Sequence, residues 1–184
     1  TVLVSLGAIA LGFVIGVAGG VARVSPNPFV SEAAAIYVEV FRGAPLLAQI
    51  YIFYFCVFSV VRFDDPLLIG MIALAVFSGA YVTEIVRAGI QSVDRGQWEA
   101  ALAMGFSRFQ ALRWVIFPQA FRRIIPAVAG QFVSLIKDSS LLSVIAVREL
   151  TKATREAVTS SLQSLELWFT CALLYLVLTF TLSL

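Results

Sequence analysis

SVDRGQWEAALAMGFSRFQALRWVIFP, residues 92–118, is the one long polar island in a chain that is otherwise close to continuous hydrocarbon. Two short helices can be read from it. Asp94, followed three residues later by Gln97, has the form of a capping box with an acidic cap, which starts a helix by satisfying its first free N–H groups. Gly105 stands where that helix must end, because a left-handed residue closes a helix and glycine adopts that conformation without steric cost. Ser107 with Gln110 is a second box. It opens a helix with Phe109, Leu112 and Ile116 on one stripe and Arg108 and Arg113 off it. The island therefore reads as helix, glycine turn, helix, ending at Pro118: a compact knob projecting from a membrane protein.

Around the island, composition excludes an ordinary soluble domain. Of 184 residues 60% are hydrophobic and 13% charged, against about 25% charged in soluble proteins, and the mean hydropathy is +0.96. This is an integral membrane bundle, one transmembrane domain covering 1–184. A net charge of +2 gives no argument for nucleic acid, and the absence of histidine removes imidazole chemistry and histidine metal ligands. Cys56 and Cys171 lie in apolar runs and read as buried, reduced packing residues, with no disulfide framework. The chain starts inside one hydrophobic segment and stops inside another, which suggests trimming at both termini.

A membrane-spanning helix needs about 20 apolar residues. The first is 2–22, with a small-residue ridge at Ala8, Gly12, Gly16 and Gly20 that lets another helix approach closely. The stretch 33–61 is too long for one unbroken span. Glu39, Arg42, Gly43 and Pro45 interrupt it. It divides into an interfacial lead-in over 31–43 and an embedded part over 45–61, closed by Arg62, Asp64, Asp65 and Pro66. The third span is 67–86, where Glu84 and Arg87 are placed to pair on one helix face. The fourth is 119–136, about 27 Å of helix at 1.5 Å per residue, with Pro126 either kinking or starting it. Residues 141–147 are too short to cross and read as a re-entrant or interfacial segment buried in protein. An amphipathic helix follows over 148–163, with Leu150, Ala153, Ala157 and Ser161 on one side and a Lys152–Glu156 pair at its surface. The fifth span is 165–184. With its start outside, Arg23, Arg42, Arg87, Arg95, Arg108, Arg113, Arg122 and Arg123 fall inside. Arg62, Lys137, Arg148, Lys152 and Arg155 fall outside. That bias puts the knob in the cytoplasm.

The knob also resembles a known loop. Glu99-Ala100-Ala101, then Gly105, then Val115-Ile116-Phe117-Pro118 is similar to the Glu-Ala-Ala loop of ABC-importer permease subunits, with Val115 and Phe117 replacing the family's Ile and Leu conservatively. YVEVFRGAPLLAQI (37–50), GAYVTEIVRAGIQSV (79–93), PQAFRRIIPAV (118–128) and SLIKDSSLLSVIAVRELT (134–151) resemble the polar amino-acid uptake branch. The resemblance implies an all-α membrane protein of the type I importer permease fold, five transmembrane helices with a cytoplasmic helix–Gly–helix coupling loop, in the bacterial inner membrane. It implies as partners ABC ATPase subunits, a second permease subunit, an extracytoplasmic solute-binding protein and an amino-acid substrate. Trp98, Glu99, Ala100, Ala101, Met104 and Gly105 would carry the ATPase coupling.

No Gly-x-x-x-x-Gly-Lys-Ser/Thr loop exists to hold nucleotide phosphates, so the chain is not expected to be an enzyme. No catalytic residue, cofactor or metal is expected. A zwitterionic substrate needs donors for its carboxylate and acceptors for its ammonium group, away from bulk water. A charge placed centrally in a membrane costs about 2.5–3.5 kcal/mol on insertion scales. Gln131, Ser134, Lys137, Asp138, Ser139 and Ser140 cluster near a helix break, where freed backbone groups also bind ligands. Gln49, Tyr54 and Tyr81 are further polar residues within spans, equally suited to helix–helix contacts. Lys137–Asp138 also reads as a plain interfacial ion pair. Three other classes stay open at this point: a secondary transporter or ion channel, an ABC permease for another small polar solute, and a non-transporting membrane scaffold.

Overall fold

A computed structural model describes residues 1–61 and 65–183. Arg62 and Asp64 lie outside the described residues. Every regular element among the described residues is helical: α1 (Val2–Arg23), α2 (Pro28–Gly43), α3 (Leu46–Val61), α4 (Pro66–Gln91), α5 (Arg95–Ala103), α6 (Arg108–Ala111), a π turn (Leu112–Ile116), α7 (Phe117–Asp138), a 3₁₀ segment (Ser139–Ile145), α8 (Leu150–Ser161) and α9 (Ser164–Ser183). Among the described residues four stretches are long and apolar enough to cross a membrane, and the bent pair α2–α3 makes a fifth when counted as one span.

The centre is α4, which packs against α1, α2, α3 and α7. The small-residue ridge on α1 explains its closest partnership. A methyl group added at Gly12 would strike Ser78, one at Gly16 would strike Val82, and one at Gly20 would strike Val86. Backbone blocks them as well, with the Gly79 and Thr83 carbonyl oxygens 3.1 Å from the added atoms at Gly16 and Gly20. The ridge is therefore a helix-packing surface. Gly7 faces Met71 and Gly20 faces Val86, so the two helices run parallel. In α7 the order reverses: Gly89 meets Ile124, while Gly70 meets Leu142 and Ile145 beyond the helix end. One end of the bundle thus holds Thr1, the start of α4 and residues 139–150; the other holds Arg23, Gln91 and α5. Each half has its own core. Val4, Ala8, Ile50, Leu74, Leu135 and Leu142 fill the first, and Val82, Val86, Ile90, Ile116, Ile124 and Val128 the second.

Several local expectations change on contact with the fold. Asp94 does cap α5, but it accepts from the Gly96 N–H at 2.7 Å, and the Gln97 side chain does not close the box. The Ser107–Gln110 box is complete: the Ser107 N–H donates to Gln110 Oε1 (2.8 Å) and the Gln110 N–H to Ser107 Oγ (3.3 Å). The stripe Phe109–Leu112–Ile116 is broken, because the π turn changes the period from 3.6. Ile116 is buried and Phe109 is 69% exposed. Nor does the helix end at Pro118. Proline lacks the N–H that an α-helix needs at that point. The π turn, closed by the Phe117 N–H on the Leu112 carbonyl, lets the axis run on through it. Pro126 likewise sits inside α7 and does not start it.

At the opposite end, residues 139–145 are a 3₁₀ segment whose Leu142 and Ile145 are buried in protein. Glu149, 3% exposed, starts α8 by accepting from the Thr151 (2.8 Å) and Lys152 (2.7 Å) N–H groups. The Tyr175 hydroxyl of α9 donates to it as well, at 2.8 Å. That cap places the α8 start at Leu150, buries Thr154 and leaves Ser161 exposed, unlike the anticipated stripe. Lys152 donates to the Ala146 carbonyl (2.7 Å), and Glu156 pairs with Arg148 (3.0 Å); the Lys152–Glu156 pair does not form. No disulfide joins the two cysteines; Cys171 is buried as expected and Cys56 is exposed.

Candidate functional site

The loop carrying Glu99-Ala100-Ala101 leaves α4 at Gln91 and returns at Phe117. α5 closes in a Schellman turn: Gly105, at φ +86°, donates its N–H to the Leu102 carbonyl (3.0 Å), and Phe106 donates to the Ala101 carbonyl (3.1 Å). Nothing lies within 4 Å of a Cβ built on Gly105. Conformation alone requires the glycine. α5 has two faces. Ala101 is buried, and Trp98 packs among Ile90, Val93 and Ile116 on the bundle. Glu99, Ala100, Leu102, Ala103 and Met104 point away, Met104 being 77% exposed. Trp98 therefore packs α5 against its own membrane domain. Gln119 of α7 ties the loop down further, donating to Gln97 Oε1 at 3.0 Å. Arg123 donates to the Ser92 carbonyl.

Just above the loop, Glu84 and Arg87 pair at 2.7 Å as the spacing suggests. Arg23, from the end of α1, joins them at 3.5 Å. Its place is fixed by the parallel α1–α4 packing, which no local sequence signal reports.

The expected pathway residues fall into two groups. Gln49 lies at the break between α2 and α3, where the axis bends by 108°, and Tyr81 of α4 takes a contact from Arg42 beside that break. Gln49 Nε2 donates to the Phe41 (2.8 Å) and Ala44 (2.9 Å) carbonyls, which the break leaves without N–H partners. Its Oε1 is buried with no hydrogen-bond partner. Tyr81 carries the Arg42 guanidinium over its ring at 5.0 Å. Arg42, in the last turn of α2, thus reaches α4 two to three residues past the helix midpoint, about 4 Å along its axis. Gln131, Lys137, Asp138, Ser139 and Ser140 form the second group, at the far end of α7. There the Ser139 hydroxyl is fully buried and donates to the Ile136 carbonyl at 2.7 Å, ending the helix. Lys137 is exposed, Asp138 half-buried, and no ion pair joins them among the described residues. No group of side chains among the described residues is arranged to hold a metal ion.

Residues 8–184 match the family described as binding-protein-dependent transport system inner membrane component. The chain belongs to this family. The glutamine transport system permease protein GlnP of Escherichia coli (strain K12) is 37% identical over 186 residues, covering 100% of this chain and 84% of the relative. The probable glutamine ABC transporter permease protein GlnM of Bacillus subtilis (strain 168) is 39% identical over 183 residues, 100% and 85%. An amino acid ABC transporter crystallised with histidines superposes with a TM-score of 0.90 at 35% identity, covering 98% of this chain and 84% of the other. Inward-facing MetNI, a methionine ABC transporter, superposes at 0.84 with 20% identity, covering 98% and 87%, and shares the fold. The permease is therefore a multi-pass inner-membrane transport subunit of the type I importer fold and not an enzyme. Such permeases work with separate ATPase subunits. Family membership removes the channel, secondary-transporter and scaffold alternatives.

Proposed function

We propose that residues 1–184 form one transmembrane domain of an ATP-driven importer for polar amino acids, with α5 as its ATPase contact. The carrying observation is the two-faced α5. Trp98 and Ala101 key into the bundle, leaving Glu99, Ala100 and Met104 as a slim outer face that fits a groove, and Gly105 turns the chain back sharply. The substrate class rests on whole-chain similarity to permeases named for glutamine, nopaline and L-cystine. A second permease copy or homologue completes the pathway, and a solute-binding protein delivers substrate at the end holding residues 139–150. The loop end is cytoplasmic, as the distribution of arginine supports. Gln49, Tyr81, Gln131, Lys137, Asp138 and Ser140 remain pathway candidates, whereas the Ser139 hydroxyl has a structural partner that accounts for it.

A crosslink tests this. A Met104→Cys permease, lacking Cys56 and Cys171, is co-expressed with its ATPase subunit and treated with a short bifunctional thiol reagent. A Met104–ATPase adduct, with none from an Arg148→Cys control at the opposite end, is expected. Adducts at Arg148 and none at Met104 would place the ATPase on the wrong end for this reading.

A further inference from the structure

We propose that the loop end of α1 carries a seat for an anionic phospholipid of the surrounding membrane, its phosphate met by Arg108 and Arg113 and its acyl chains lying against α1 on either side of Phe109. Two adjoining grooves carry the inference, of about 340 and 380 Å³. Val21, Phe109 and Leu112 wall both, while Arg108 borders one and Arg113 the other. No Asp or Glu lines either groove among the described residues. Both arginines are exposed, and neither enters an ion pair among the described residues. Glu84, at this end of the bundle, is taken up by Arg23 and Arg87. An apolar groove edged by uncompensated guanidinium groups matches a lipid with a negative head.

The depth also suits a lipid. Val17 lines the second groove and stands six residues before Arg23, where α1 ends. At 1.5 Å per residue the groove reaches about 9 Å into the span. Phe109 is 69% exposed and Trp114 65%, a display that water penalises and acyl chains solvate. Tryptophan and arginine are the side chains that settle at the boundary between headgroups and hydrocarbon, each with an apolar body and a polar tip. Arg113 lies over the Trp114 ring at 5.2 Å, which orients its guanidinium and leaves N–H donors for a phosphate. Basic pockets between membrane helices bind lipid headgroups by the same combination of charge and groove. A protein partner fits this face less well than it fits α5. The outer side of α5 is slim and without rings, whereas α6 and the π turn present two arginines and two large aromatic rings at membrane depth.

The test uses the full importer, permease with ATPase, in vesicles of phosphatidylcholine and phosphatidylglycerol in equal parts. One sample receives a trace of phosphatidylglycerol with a photoreactive acyl chain, and a parallel sample receives phosphatidylcholine with the same chain. After illumination, adducts are mapped by peptide mass spectrometry and scaled to those on α9, which is exposed along most of its length. Adducts on residues 17–24 and 109–117 should form about fivefold more with phosphatidylglycerol, the worth of one arginine at an anionic surface. Replacing both arginines, Arg108→Gln with Arg113→Gln, should bring the two lipids level at these residues and leave α9 as in the parent. Equal labelling by both lipids in the parent overturns the seat, and a preference that survives both substitutions overturns the role of the arginines. Labelling of α9 with none at 109–117 gives this face to a protein partner and overturns the proposal as well. Should the double variant fail to assemble, the comparison of the two lipids on the parent decides alone.

Discussion

Gly105 has a φ of +86° and open space where a side chain would project, so the effect of any substitution there is conformational and not steric. Left-handed backbone costs an L-residue roughly 1–2 kcal/mol. Asparagine lies at the low end and β-branched valine at or beyond the high end. Relaxing φ would instead surrender the two hydrogen bonds that close α5, each worth about 1 kcal/mol net. Either route shifts the loop away from its native turn by roughly 5–30-fold in the Gly105→Val variant, and by only a few-fold in Gly105→Asn. In liposomes carrying the complete importer, Gly105→Val should depress uptake more than ATP hydrolysis, and Gly105→Asn should stay near the parent. Equal extraction yield in mild detergent establishes normal insertion. Uptake by Gly105→Val at the parent rate, or equal damage from both variants, would refute the argument that a left-handed turn sets the coupling geometry.

Three further outcomes follow from the packing and topology. Glu84→Gln strands Arg23 and Arg87 near the C-terminal ends of α1 and α4 and should cost about 1–3 kcal/mol, read as a lower melting temperature of the purified permease; adding Arg87→Gln should recover part of it. Gly16→Leu should prevent close α1–α4 contact and lower thermal stability more than Gly130→Leu, since Gly16 faces Val82 and Gly130 faces open space; equal melting temperatures would deny the ridge its packing role. In a background lacking Cys56 and Cys171, an impermeant thiol reagent outside intact cells should label Ser160→Cys and spare Ser92→Cys, and the reverse pattern inverts the proposed orientation.

What the sequence disclosed and what it withheld divide along physical lines. Span positions were legible because hydrocarbon thickness sets a length that composition alone must meet: the described helices α1, α4 and α9 lie within a few residues of the stretches picked from hydropathy. The α1 ridge was legible for a related reason, since small residues at four-residue intervals have one common use in a membrane. Caps were legible as positions and less so as partners. Asp94 and Ser107 both start helices, yet only Ser107 gains the reciprocal side chain, because Gln97 is drawn across to Gln119, twenty-two positions away. Contacts at such separations are products of the fold, and Arg23 with Glu84 is another.

The π turn was hidden more deeply. Around Leu112–Ile116 the apolar spacing fits an α-helix, and the stripe it implies would bury Phe109 beside Ile116. The requirement that breaks the stripe comes from Pro118, whose missing N–H and bulky ring conflict with α geometry one turn back. A terminating helix resolves that conflict, and so does one wider turn; local sequence does not choose between them. Packing chooses. Ile116, Ala120 and Ile124 all reach the inner core against Val86 and Ile90, and only a helix continuing through Pro118 lets them do so together. The same continuity joins Gln119, which holds α5, to the span that packs on α4, so the loop is built into the helix below it and is not merely tethered to it. A helix ending at Pro118 would have left a flexible joint between the α5–α6 loop and the bundle, and the π turn removes that joint at the cost of exposing Phe109.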